Sequence, residues 1–67
     1  MARTRASTQA ETRQRLIDAA HAEFSNRRVV DVSVDDIARR AGYTKGAVYA
    51  NFESKTDLLF SVVERRM

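Results

Sequence analysis

A helix stop and a helix start lie almost on top of each other in the middle of this chain. Ala41-Gly42 ends one run of helix-favouring residues and Thr44-Lys45 opens the next, with only Tyr43 between Gly42 and the new cap. Glycine takes the left-handed conformation just past a helix end at little cost. A threonine oxygen satisfies the free N–H groups of a new first turn. A chain written this way folds back sharply at one point, so two short helices cross at close range. The rest of the sequence favours helix as well, with no proline and only two glycines in 67 residues. We expect an all-α domain, a three-helix helix-turn-helix unit followed by the start of a fourth helix.

The elements follow from apolar spacing and caps. Residues 1–8 have no large apolar residue after Met1 and read as a disordered basic tail, leaving 9–67 as the folded part. The first helix is expected from about Gln9 to Asn26, with Leu16, Ile17, Ala20 and Phe24 as its buried stripe and His21 at the edge as a packing residue. An irregular link, Arg27 to Val32, precedes Ser33, which caps a second helix with Asp36 as a short version of the capping-box acid. That helix packs through Val34, Ile37, Ala38 and Ala41. A third helix spans about Lys45 to Asn51, with Val48 inward and Phe52 closing it. Ser54 caps a fourth, whose stripe is Leu58, Leu59, Val62 and Val63, with Phe60 alongside.

Composition excludes several functions. A chain this short buries only roughly 60% of the surface it exposes when unfolded, so a deep two-lobed cleft is out of reach. There is no cysteine and one histidine, which leaves no disulfide framework and no ordinary metal site; no metal or cofactor is expected. No stretch approaches the roughly 18 apolar residues of a membrane span, and no membrane partner is expected. Paired acid and base groups, an activated nucleophile and a phosphate-cradling glycine loop are all missing, so no catalytic residue is assigned and the chain does not read as an enzyme.

Charge is distributed in blocks. Ten of the twelve basic residues are arginine, and the formal net charge is +3. Residues 1–17 and 39–56 each sum to +3, residues 18–38 to −3, and the remainder to zero. This suits a domain that shows one basic face to a polyanion, and equally a solvated mixed-charge surface.

The third helix favours the polyanion. In a helix-turn-helix the second of the two crossing helices enters the DNA major groove, against the plainer alternative of a generic three-helix bundle. The first turn here is Thr44-Lys45-Gly46-Ala47, whose free N–H groups suit a backbone phosphate. Lys45 has the reach for a phosphate or a guanine edge, and Ala47 is small enough to meet a thymine methyl. Gly46 is a poor helix former and makes sense where another backbone comes close. Tyr49 and Asn51 carry groups able to reach phosphates, and Lys55 at the start of the fourth helix adds a second anion site.

The residues Thr12-Arg13, Leu16-Ile17, Ala19-Ala20 and Phe24, then Ser33-Val34-x-Asp36-Ile37-Ala38-x-x-Ala41-Gly42-Tyr43-Thr44-Lys45-Gly46-Ala47-Val48-Tyr49-x-x-Phe52-x-Ser54-Lys55-x-x-Leu58-Leu59, resemble the N-terminal DNA-binding domain of the TetR family of bacterial transcriptional repressors, a homeodomain-like fold. The resemblance covers about residues 10–64. It implies a helix-turn-helix at about 33–52 and a recognition helix at about 45–51 in the major groove of a palindromic operator in double-stranded DNA. It also implies phosphate contacts from Thr44 and Tyr49, base or nearby phosphate contacts from Lys45 with Tyr43, Gly46 and Ala47, and further contacts from Ser33, Asn51 and Lys55. Relatives of this kind are cytoplasmic, act at the nucleoid, form homodimers through a C-terminal domain and are released by a small-molecule inducer bound there. We expect this chain, which stops in the fourth helix at Met67 without a cap, to be a truncated domain, an excerpt or a chain whose remainder was not recorded, and the 67 residues by themselves to be monomeric and weak in DNA binding.

Three positions depart from the family pattern. Arg28 and Val29 stand where the family usually has glycine and an aromatic; either Arg28 adopts positive φ at a cost of about 1 kcal/mol, or the link takes another path. Asn51 stands where histidine is commonest. Arg27 and Arg28 read as exposed surface residues, and Arg3 and Arg5 as a solvated tail, with phosphate contact and a minor-groove arm as their alternatives. A helical protein-interaction module that docks through Leu58–Val63 is the rival from another class, and the polar, glycine-containing surface of the third helix argues against it. An activator on the same fold is not separated from a repressor by these residues.

Overall fold

The computed structural model describes residues 5–66, with side chains for residues 8–64. Four α-helices succeed one another: α1 (Arg5–Asn26), α2 (Val34–Ala41), α3 (Lys45–Asn51) and α4 (Lys55–Arg66). The described residues contain no strand. α1 packs against α2 and α4, and α2 against α3.

The first helix begins at Arg5, not at about Gln9, so residues 5–8 of the expected tail are helical, while residues 1–4 lie outside the described residues. The early turns have no apolar stripe to bury. They extend a helix already nucleated by packing further on, and with alanine, arginine and glutamine each added residue costs little. The stripe buries Leu16, Ile17, Ala19 and Ala20, with Phe24 half-buried beside the core. His21 sits at the boundary, as expected.

The link after α1 settles the Arg28 question. Arg28 has φ −70° and ψ 146°, ordinary extended backbone, and no non-glycine residue described has positive φ. A single 3-10 turn, Val29–Asp31, takes up the slack where glycine was expected. It delivers Val32 into the core at 1% exposure, a core residue that apolar spacing did not reveal.

α2 starts as its sequence demands. The Asp36 N–H donates to Ser33 Oγ at 3.1 Å, and the Ser33 N–H donates to Asp36 Oδ2 at 3.0 Å, a complete capping box. At its far end Gly42 has φ 82°. The N–H groups of Gly42 and Tyr43 donate back to Arg39 and Ala38, the paired bonds that close a helix around a left-handed residue. α3 opens on Thr44, whose Oγ1 accepts from the Ala47 N–H at 3.3 Å, and it ends where Phe52 turns extended. α4 opens on Ser54, whose Oγ accepts from the Asp57 N–H at 3.2 Å, while the Asp57 carboxylate accepts from the Glu53 N–H.

One apolar cluster holds the elements together. Leu16, Val32, Ile37, Val48 and Leu58 are fully buried, and Phe52 and Val62 extend the cluster along α4.

Candidate nucleic-acid interface

The short α3 buries Val48 and leaves its opposite face open. Thr44, Lys45 and Gly46 are exposed at its start, and Tyr49 is 50% exposed one turn on. Ala47 is half-buried, and Tyr43 is half-buried against the core cluster. Ser33 is exposed at the start of α2. The Ser33 and Thr44 oxygens accept cap hydrogen bonds, which leaves the Thr44 hydroxyl hydrogen free to donate to an anion, while the Ser33 hydroxyl lies against the Asp36 carboxylate.

Gly46 is not required by the fold. A β-carbon built there meets only Thr44 Oγ1, at 3.7 Å, an ordinary van der Waals distance, and its φ is not positive. The glycine therefore leaves the exposed face of α3 bare at some cost to the helix.

Two expected contact residues direct their polar atoms into the domain. Asn51 Nδ2 donates to the Ala47 carbonyl one turn back, at 2.9 Å. Lys55 Nζ donates to the carbonyls of Val29 at 2.9 Å and Val32 at 3.0 Å. That commits two of the three ammonium donors.

The acidic block of the sequence is largely consumed by arginines. Glu23 pairs with Arg27 at 3.1 Å and with Arg40 at 2.9 Å, Asp31 pairs with Arg28 at 3.1 Å, and Asp36 pairs with Arg27 at 3.2 Å. Arg27 also donates to the Asp31 carbonyl at 2.6 Å. It is thus a hub joining α1, the link and α2, a role that reading it as a surface residue missed. These pairs are partly exposed and screened by solvent, so each adds little to stability. Their larger effect is to cancel the negative block. Lys45, by contrast, has no ion pair or hydrogen bond among the described residues and is exposed.

Arg13 is a second residue whose placement only packing discloses. Its guanidinium lies 4.6 Å over the Phe52 ring, and Nη2 is 3.5 Å from Ser61 Oγ, so it closes α1 over the junction of α3 and α4. On α4, Leu58 and Val62 are core, and only Phe60 and Val63 of the expected docking stripe stand exposed. A docking face across Leu58–Val63 is therefore mostly absent. Among the described residues no helix is long and apolar enough to cross a membrane.

The hydrogen bonds at Asp36 predict an acid-sensitive fold. The hydrogen bonds from Ser33, reinforced by the Arg27 guanidinium, hold its carboxyl below the usual carboxylate range. A depressed folded-state pKa contributes stability that is present above the unfolded value and lost as pH falls through the folded one. Acid titration of stability is expected to decline from roughly pH 4 downward, and less steeply in Asp36→Asn. Superimposable acid profiles for the two proteins would remove Asp36 from this role.

Comparison with known proteins agrees with this geometry. The family model described as bacterial regulatory proteins, tetR family, matches residues 16–62. TtgW of Pseudomonas putida, an uncharacterized HTH-type transcriptional regulator, is 48% identical over 66 residues, covering 98% of this chain and 49% of its own length. SrpR of Pseudomonas putida, an HTH-type transcriptional regulator, is also 48% identical, over 98% of this chain and 31% of its own. BepR of Brucella suis, an HTH-type transcriptional repressor, is 42% identical, over 97% of this chain and 31% of its own. The chain thus spans about a third to a half of the length of these curated relatives. No solved structure gives a significant match. With its Gly42 turn, its paired caps and the open face of α3, the chain belongs to the tetR family of bacterial regulatory proteins, a family of helix-turn-helix DNA-binding regulators and not of enzymes.

Proposed function

We propose that this domain reads a specific operator for a transcriptional repressor, with α3 in the major groove. The observation that carries the reading is the open face of α3, where an unpaired Lys45, a bare Gly46 and a half-exposed Tyr49 follow a tight turn at Gly42. Ser33, Thr44 and Tyr49 would hold phosphates, and Lys45, Gly46 and Ala47 would face bases, with Tyr43 beside them. Asn51 and Lys55 would contribute only with the donors their internal bonds leave over. In a protein as long as the relatives, the remaining residues would form the homodimer and bind the small molecule that causes release. Such a dimer reads a palindrome, because two-fold symmetric proteins match two-fold symmetric sites. It would act in the bacterial cytoplasm, at the nucleoid. The name of BepR as a repressor supports that direction of regulation.

The test is selection of bound duplexes from random sequence, followed by salt titration, with this chain and with a version fused to a dimerising helix. A palindromic enriched site, bound far better by the dimer and with a steep salt slope, is expected. Absence of enrichment and of salt-dependent binding in both proteins would overturn the reading.

Gly46→Ala gives a second, independent check. The fold is expected to gain up to about 1 kcal/mol, while affinity for the enriched duplex falls. A variant that is both more stable and equally tight in binding would mean that nothing approaches α3 at this point.

A further inference from the structure

Lys55 is the first residue of α4, where the helix dipole disfavours a cation. Its ammonium escapes that field by turning back to the Val29 and Val32 carbonyls, 26 and 23 residues earlier in the chain. Those two carbonyls belong to the first residue of the 3-10 turn and to the residue that ends it. The next residue after Val32 is Ser33, the cap of α2, whose N–H is held by Asp36, and Asp36 is held in turn by Arg27. One continuous run of polar contacts therefore leads from the start of α4, through the link, to the start of α2 and the end of α1. The Val32 side chain, buried in the core, anchors the middle of that run.

We propose that Lys55 is a positioning residue for DNA recognition. It pins the start of α4 to the link that carries the start of α2, so that the two helices flanking α3 keep one spacing. The proposal rests on the DNA-binding reading above. It differs from a role in which Lys55 simply neutralises a phosphate, because the ammonium then acts through Val29 and Val32 rather than through the duplex.

The experiment compares the 67-residue chain with Lys55→Met, which keeps bulk without donors, and Lys55→Gln, which retains an amide donor. Amide exchange is measured for Asp31 and Val32, which donate to Arg28 and Val29, and for Leu16 and Ala20 in α1. Affinity is measured over a salt series for a duplex pool enriched on the wild-type chain and for random duplex. In Lys55→Met the Asp31 and Val32 amides are expected to exchange about tenfold faster, with Leu16 and Ala20 little changed. Affinity for the enriched pool should fall about tenfold with a smaller loss on random duplex, at an unchanged salt slope. Lys55→Gln should lie between, and it carries the test if Lys55→Met does not fold. Equal losses on both duplexes, with a slope shallower by about one unit, would overturn the proposal in favour of a phosphate contact. Faster exchange with unchanged affinities would overturn it too, leaving a contact that serves the fold alone. If neither the wild-type chain nor its fusion to a dimerising helix enriches a duplex and binds it with a salt dependence, the DNA-binding reading itself has failed; a wild type that binds, alone or as the fusion, beside variants that bind equally well in the same form fails the positioning proposal alone.

Discussion

Ile37→Ala is expected to leave this chain largely unfolded. Ile37 is 0% exposed, on the face of α2 that meets the core. Truncating a buried isoleucine to alanine costs about 2–5 kcal/mol, the transfer term plus the cavity left behind. At roughly 0.05–0.15 kcal/mol per residue, a domain of this length holds about 3–10 kcal/mol in total, and small domains bury proportionately less surface. The loss is therefore comparable to the whole stability. Urea unfolding followed by circular dichroism checks it, with Val30→Ala as a control. Val30 is 76% exposed, and its truncation is expected to stay within about 0.5 kcal/mol of the parent. An Ile37→Ala midpoint equal to that of the control would contradict the core assigned here.

Lys45→Ala should have the opposite profile, leaving stability nearly intact and weakening operator binding by about 1–3 kcal/mol if Lys45 reads a base edge. At about 1.4 kcal/mol per factor of ten, that is a loss of roughly fivefold to more than a hundredfold. The fold should tolerate the change because Lys45 is exposed and holds no internal partner among the described residues. The two possible targets of its ammonium separate cleanly. A base contact predicts a large loss on the enriched duplex and little on random DNA. A phosphate contact predicts similar losses on both and a shallower salt slope. Unchanged affinity on both duplexes would take Lys45 out of the interface.

The helix-turn-helix was legible because its signals are local. Ser33 and Asp36 are three residues apart, Gly42 needs only its own φ, and Thr44 caps an N–H three residues on, so each bond forms within one turn of chain. The buried faces of α1 and α2 were legible for a related reason: helical periodicity puts Leu16, Ile17 and Ala20, or Ile37 and Ala38, on one side whatever the tertiary fold. The α4 stripe was read too wide, since Leu58 and Val62 are buried but Leu59 is half-buried and Val63 is exposed. The start of α1 was harder to read. Residues 5–8 carry no packing signal, and their helix follows from weak propensity added to an existing helix. Val32 was missed because the link holds three valines, Val29, Val30 and Val32, and has no period that singles one of them out.

The candidate interface divides along the same line. Exposure of Lys45, Gly46 and Tyr49 follows from their places around a helix whose inner residue is Val48. The destinations of Asn51, Lys55, Arg13 and Arg27 are less readily read from sequence. Asn51 has a choice between its own helix and an outside ligand. Lys55 and Arg13 meet partners more than twenty residues away.

What the sequence by itself determined was where α1 ends, where α2, α3 and α4 start, where the chain turns between α2 and α3, and which sides of α1 and α2 are apolar, because caps, glycine torsions and side-chain spacing act over at most one helical turn. What only the tertiary structure decided was how Arg28 avoids a left-handed backbone, which carboxylates Arg27 and Arg40 neutralise, and that the Lys55 ammonium faces inward. Those outcomes depend on distances between elements, and the distances are set by the close packing of Leu16, Val32, Ile37, Val48 and Leu58.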